Sequence, residues 1–321
     1  MPHLEGWQVA GPPAIAVKDV RKAYGHVQAL AGLTLEVPRG SLAGLAGPNG
    51  SGKTTLVKIL LGVTGYDSGQ VTVLGLDPRT QGMQIRGQTA IVHQSSGIDG
   101  FLSVWDNVRI YIRLRGLDVA ASEAKARELL REFGLEDVLQ RPMITLSGGQ
   151  GRKVQIVRAL LLEPSLLVMD EPTMNVDPES RRTLWAKVRQ LTSRGATVLW
   201  TTHDLHEMAA VGDLAFVIKS GQLIRADTPR NLARSVGGDV IEIHGRFPDE
   251  LHTNIGDLPD AKLIRHSSTE LVFESNSPEA ALLRVLDAVR DHEATTISAV
   301  SIRPVTFEEA YMRLTGEGDE R

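Results

Sequence analysis

The sequence contains no cysteine, which excludes disulfides and thiolate chemistry and suits a reducing compartment. Neither sign of charge dominates. Lys and Arg number 35 against 39 Asp and Glu, a net charge of −4, so no global basic field argues for a nucleic-acid partner. No apolar run approaches the roughly 20 residues needed to span a bilayer; the longest candidate, Ala159 to Met169, is broken by Glu163 and Pro164. The first residues lack a basic stretch followed by an apolar one, so no secretory signal is expected. Residues 1–14 read instead as an irregular tail, and any membrane role has to come through a partner. What remains is an ordinary globular composition. With 321 residues and 42% apolar content, the chain can hold two domains or one large one with a sizeable core.

The most informative stretch is Gly47-Pro48-Asn49-Gly50-Ser51-Gly52-Lys53-Thr54-Thr55. It carries the G-x-x-x-x-G-K-T pattern of a phosphate-binding loop. An apolar run, Ser41 to Ala46, suits a buried strand before it, and Thr55 to Leu61 suits a helix after it. Glycines let the backbone turn tightly and aim its N–H groups inward, while the helix start adds its positive dipole end. Lys53 can then reach the outer phosphates of a nucleotide, and the Thr54 hydroxyl can ligand Mg2+.

Around this loop the chain alternates strands and polar strand ends. Ile15–Val20 and Leu33–Val37 alternate as strands, with Tyr24 in the loop between them, where an aromatic either packs or stacks on a base. Gly69–Gly75 and Thr89–Gln94 are further strands, the latter ending in the polar Gln94. From about 95 to 160 the pattern turns helical. Ser103 and Asp106 suggest a capping box, and Ala121–Phe133 a second helix stopped by Gly134. Leu146-Ser147-Gly148-Gly149-Gln150 then opens a helical run from Arg152 to Leu162. Ser147 there is either a plain N-cap or part of a second phosphate-binding helix start.

The apolar strand Leu166–Met169 ends in Asp170-Glu171-Pro172. Two adjacent acids at a strand end are costly to bury without a cation. The first can hold the Mg2+ shell and the second can orient or deprotonate water. Ala196–Thr202 ends at His203-Asp204, and Leu214–Ile218 with Gln222–Arg225 reads as a hairpin across Ser220-Gly221.

Taken in this order and spacing, the residues resemble an ABC-type ATPase from about Ile15 to Asn231. The resemblance implies an α/β P-loop NTPase domain over 15–234 with an inserted helical subdomain, binding ATP and Mg2+. By the same resemblance Tyr24 would stack on adenine, Gly47 to Thr55 hold the phosphates, and Thr54, Gln94 and Asp170 serve Mg2+. Glu171 would be the general base, with Lys53, Gln94 and His203 completing the catalytic set. Ser147, Gly148, Gly149, Gln150 and Asp177 would face the nucleotide of a second copy in a head-to-tail homodimer. Two positions depart from the family pattern. Asn175 stands where Gly is usual, and its tolerance of left-handed geometry should preserve the turn. Gly151 stands where a longer polar side chain is common and should loosen its helix start by up to about 1 kcal/mol. Neither removes a catalytic group, so a competent ATPase is expected.

Past Gly237-Gly238, residues 239–316 read as βαββαβ, a small ferredoxin-like α+β domain. Its helices are expected at Pro248–Ile255, Pro278–His292 and Thr306–Leu314. The ending, Val305 to Gly316, resembles ATPase subunits of ABC-2-type exporters of the daunorubicin-resistance kind. Such a domain either stabilises a dimer or regulates. The resemblance implies an exporter ATPase on the cytoplasmic face of the membrane, docked on integral permease subunits through the surface around Gln94, Phe101 and Trp105. A soluble ABC ATPase acting on ribosomes or DNA is the alternative, disfavoured because the chain has one nucleotide domain, no long coiled coil and no basic stripe.

Overall fold

Residues 11–93, 99–248, 257–258, 260–290 and 295–316 are described by the computed structural model. The chain divides between Asp227 and Thr228 into two compact units. In the first, β1 (Ile15–Tyr24) and β2 (Val27–Val37) form an antiparallel hairpin, with β4 (Ser68–Val73) on the other side of β1. The two-residue turn Gly25-His26 lets both strands run further than the apolar alternation alone suggests. Tyr24 is therefore the last residue of a strand and not a loop residue.

The larger sheet has the order β5-β6-β7-β3-β8-β9. Its strands are β3 (Leu42–Ala46), β5 (Thr89–Val92), β6 (Leu166–Asp170), β7 (Thr197–Thr201), β8 (Leu214–Lys219) and β9 (Gln222–Asp227). All pair in parallel except β8 with β9, which form the expected hairpin. Every residue of β3 and β7 is buried, the continuous apolar pattern of strands covered on both faces. One core joins the faces of the two sheets through α1 (Lys53–Leu60): Ile15 and Val17 meet Leu56, Ile59, Leu45, Leu199 and Phe216. Because β3, β6 and β7 run parallel and adjacent, their C-terminal ends open on one edge, where ligands of such sheets bind.

The remaining helices of this unit are α2 (Pro78–Gln88), α3 (Val104–Leu114), α4 (Val119–Glu132), α5 (Gly148–Leu161), α6 (Pro178–Ser193) and α7 (Leu205–Val211). Helices α3, α4 and α5 pack on one another as the inserted subdomain. Its core takes in Trp105, only 7% exposed, with the Arg127 guanidinium 4.0 Å from the ring centroid. Trp105 thus packs inward, whereas Phe101 is 85% exposed. Ser103 caps α3 by accepting from the Asp106 N–H, but its hydroxyl donates to the Asp106 carboxylate at 2.6 Å in place of the reciprocal bond of a capping box.

The second unit begins with α8 (Pro229–Ser235), which the sequence reading left in the first domain. Thr228 caps it and Pro229 opens it, and α8 buries Leu232 and Ala233 while packing on the last helix, α10 (Phe307–Thr315). Between these lie β10 (Asp239–Arg246), β11 (Asp257–Leu258), β12 (Ala261–His266), β13 (Glu270–Ser275), α9 (Pro278–Arg290) and β14 (Thr296–Arg303). The sheet order β11-β12-β13-β10-β14 is antiparallel throughout. That strand order is the one expected of a ferredoxin-like domain, with Ile241, Ile243 and Phe273 packing on Ala281, Val285 and Val289 of α9. The short helix expected at Pro248–Ile255 lies outside the described residues.

Candidate nucleotide site

The phosphate-binding loop joins β3 to α1 as its sequence predicts. Gly52 adopts φ 107°, and a methyl there would lie 2.5 Å from the Ala29 carbonyl oxygen. A methyl on Gly47 would overlap the Ile218 carbonyl oxygen. Only glycine fits at these two positions. Lys53 is 9% exposed, and its ammonium donates to the carbonyls of Gly47 at 2.6 Å and Pro48 at 3.1 Å. Held across the loop in this way, the charge faces the cradle it is meant to serve. The loop residues from Asn49 to Thr55, Tyr24, Asp170, Glu171 and His203 line a single cleft of about 350 Å3. Tyr24 is 48% exposed at its mouth, with the Lys22 ammonium 5.1 Å from the ring centroid.

Strand register aligns the acids. Asp170 on β6 lies opposite Thr201 on β7. The buried Thr201 hydroxyl donates to the Asp170 carboxylate and accepts from the Glu171 N–H at 3.2 Å, while the Thr201 carbonyl accepts the same N–H at 3.1 Å. One residue thus fixes both acids. Immediately after, Glu171 turns into left-handed geometry at φ 49°, a conformation that costs a non-glycine residue on the order of 1–3 kcal/mol. The turn swings its carboxylate to His203, whose Nε2 lies 2.8 Å from Oε1. Glu171 is half-hidden and His203 open to solvent.

Sequence reasoning passed over Thr201 because its importance comes from register between distant strands. Replacing it by valine keeps the shape and removes the hydroxyl. Losing a hydrogen bond to a carboxylate costs about 1.5–3 kcal/mol, so kcat for ATP hydrolysis is expected to fall roughly 10- to 150-fold. Thr201→Ser should restore most of it, which steady-state phosphate release would measure; equal losses in both variants would remove the hydroxyl from the argument.

Arg152 was passed over as well. It is 5% exposed on α5, and its guanidinium donates to the His93 carbonyl. Burial pulls its pKa down, opposed by the negative field of Asp170 and Glu171. It ties the second glycine-rich segment to the strand that leads toward Gln94, a residue outside the described ones.

That second segment does not reach the cleft within one chain. Ser147 accepts from the Gln150 N–H at 3.2 Å, and the Gln150 side chain accepts from the Ser147 N–H at 3.1 Å, a complete capping box. Ser147 and Gly148 line a separate hollow beside Met174 and Asn175. A methyl on Gly149 would overlap the Asn175 carbonyl oxygen, whereas one on Gly148 would meet nothing within 4 Å beyond its chain neighbours and its own helix backbone. Gly149 is therefore required by a contact inside the chain, where the sequence suggested room for an anion. Asn175 takes φ 61° as expected. Asp177 caps α6 through the Ser180 N–H at 2.9 Å and pairs with Lys153 at 2.6 Å. Burial raises its carboxyl pKa, but these hydrogen bonds and the Lys153 charge together hold it well below the usual range.

Comparison with known proteins agrees with this architecture. The ABC transporter family matches residues 30–174. The Nod factor export ATP-binding protein I of Rhizobium etli is 35% identical over 309 residues, covering 96% of this chain and 95% of that protein. The daunorubicin resistance ATP-binding protein DrrA2 of Streptomyces coeruleorubidus is 32% identical over 311 residues, covering 96% of each. Among solved structures, an ATP-binding subunit of an ABC transporter superposes with a TM-score of 0.65 at 29% identity, over 69% of this chain and 92% of that one. A dimeric ATP-binding cassette bound to ADP and Pi gives 0.60 at 25% identity, over 67% and 98%. None of these relatives supports action on ribosomes or DNA. The chain belongs to the ABC transporter family, as an ATP-binding and ATP-hydrolysing subunit of the exporter type.

Proposed function

We propose that two copies of this chain close head to tail over two ATP molecules and so drive the permease of a membrane exporter. The observation that carries this reading is the separation, within one chain, of the Lys53 cleft from the Ser147 helix start. Each element can read phosphate, and a second copy is the simplest means of joining them. Lys53 would leave its loop carbonyls for the β- and γ-phosphates, with Tyr24 against adenine. Glu171, turned toward His203, would take up the proton of the attacking water, and His203 would bear on the γ-phosphate. Ser147, Gly148, Gly149 and Gln150 would meet the nucleotide of the other copy, with Asp177 near the joint.

Mg2+ fits the donors present. Asp170 and Thr54 offer hard oxygen ligands on one cleft, and no cluster of three His, Asp or Glu able to hold a metal occurs among the described residues. Mg2+ is commonly held by one or two carboxylates together with substrate phosphates and not by an all-protein cage. Bound there, with Gln94 as a further ligand, it would neutralise charge on the phosphates.

No helix among the described residues is long and apolar enough to cross a membrane; on this reading a separate permease supplies the transport path, with this subunit docked on it at the cytoplasmic face. Similar cassettes are named for Nod factor export and for daunorubicin resistance, and on this reading choice of cargo rests with the permease.

Mixing two defective chains tests the head-to-tail assignment. Lys53→Ala removes one half-site and Ser147→Arg the other, so each protein alone should be inactive. A mixed dimer keeps one intact composite site, and random mixing should recover up to about a quarter of parental ATPase activity. Activity no greater than the sum of the two separate proteins would overturn the assignment.

A further inference from the structure

The accessory sheet has two unequal edges. At one, β12 carries Lys262 and Arg265 beneath β11. Charge is a usual means by which a sheet edge avoids pairing with another chain. At the other edge β14 runs for eight residues, paired on one side to β10 from Val240↔Arg303 to Arg246↔Thr296. Its outer row of N–H and C=O groups meets no strand among the described residues.

Apart from a register shift against β10 between His244↔Ala299 and Gly245↔Ile297, β14 carries little that would protect it from pairing. From Thr296 to Ile302 there is no proline and no charge. Every residue but Arg303 is exposed, on both faces of the strand, including Ile297 at 40%, Val300 at 38% and Ile302 at 40%. Arg303, the one charge, is tied within the unit to Glu242 and Glu309, each at 2.8 Å. An open, neutral and apolar edge of this length is a template for another strand.

We propose that β14 pairs antiparallel with β14 of a second copy, joining two accessory sheets into one across a twofold axis. A neutral strand offers no field to select a charged partner, so its complement is another neutral, β-prone strand, and its own copy is one. Antiparallel pairing about a twofold is self-complementary and closed, so each copy hides its β14 edge. Related cassettes have been solved as dimers, so a second copy is at hand. From the functional reading above, the proposal takes only that two copies meet.

The absence of cysteine makes the test clean. Single-cysteine variants of the full chain, Ile297→Cys through Ser301→Cys in turn, would be oxidised with copper phenanthroline in the absence of nucleotide. Across a twofold, each step along the strand separates the paired thiols by about 6.6 Å, twice the rise per residue. A disulfide tolerates a Cβ separation of only about 4 Å. The yield of linked dimer should therefore peak at one residue and fall several-fold at its neighbours, with Glu279→Cys on the exposed side of α9 remaining at background. Adding Ile302→Lys to the best variant would set like charges along the joined edge and should cut its yield several-fold. A flat profile, or one no higher than Glu279→Cys, would overturn the proposal, as would indifference to the added lysine. Since crosslinking is read without ATP, its outcome is independent of the mixed-chain ATPase test.

Discussion

The Glu171→Gln protein is expected to bind ATP as the parent does and to hydrolyse it roughly a thousandfold more slowly. The substitution keeps the shape of a side chain that already sits in left-handed geometry, so the turn after β6 should not move. Its backbone N–H remains anchored to Thr201. The 2.8 Å bond to His203 also survives, because the amide oxygen accepts from the ring N–H as a carboxylate oxygen does. What disappears is the ability to accept a proton. General-base catalysis contributes about 10²–10⁴-fold, and a thousandfold corresponds to about 4 kcal/mol in the barrier. On the proposed reading, ground-state binding rests chiefly on Lys53, the loop N–H groups and the start of α1. Equilibrium nucleotide binding and steady-state phosphate release, measured on the same preparation, separate the two effects. A variant that hydrolyses at the parental rate would strip Glu171 of the role, and one that fails to bind would mean that the carboxylate holds the fold of the site.

How far such a site is legible depends on how local its determinants are. The phosphate-binding loop, the strand into Asp170 and Glu171, and the Ser147 cap are each written within a few residues, and the structure reproduces them. Helices α2, α6 and α8 were equally local and went unread. Each begins with a capping residue followed by proline, at Asp77-Pro78, Asp177-Pro178 and Thr228-Pro229, the arrangement that starts a helix with a pre-set φ. Trp105 was also misjudged. Its flanking Val104 and Val108 marked the buried face, yet the aromatic was assigned to the surface, although α3 buries it as well. Other features have no local signature at all. Thr201 matters through its register with Asp170, and Arg152 through the His93 carbonyl just past β5. Gly149 matters through a carbonyl in a different loop.

That last pairing makes Gly148 and Gly149 a matched test of what lies inside the chain and what lies across it. A methyl on Gly149 collides with the Asn175 carbonyl oxygen, and Asn175 is itself held in left-handed geometry between Glu171 and the Asp177 cap. Neither backbone can give way cheaply. Overpacking of this kind costs about 1–3 kcal/mol, so Gly149→Ala should lower the melting temperature by roughly 2–10 °C. It should also slow ATP hydrolysis, since the displaced segment begins at the proposed base. A methyl at Gly148, the first residue of α5, meets nothing within 4 Å beyond its chain neighbours and its own helix backbone, so the single chain has little to lose. The melting temperature of Gly148→Ala should stay level. Yet the added methyl stands on the open surface beside Ser147, where the functional reading puts the nucleotide of the second copy. Steric intrusion there, at about 1.4 kcal/mol or more, should cost roughly tenfold or more in ATPase activity. Thermal unfolding and ATPase assays on both variants distinguish the two origins. A Gly148→Ala protein with parental activity would leave that surface without a partner, and a Gly149→Ala protein with parental stability would show that the Asn175 turn has slack. Loss of activity without loss of stability, at Gly148 alone, would be the mark of a site completed from outside the chain.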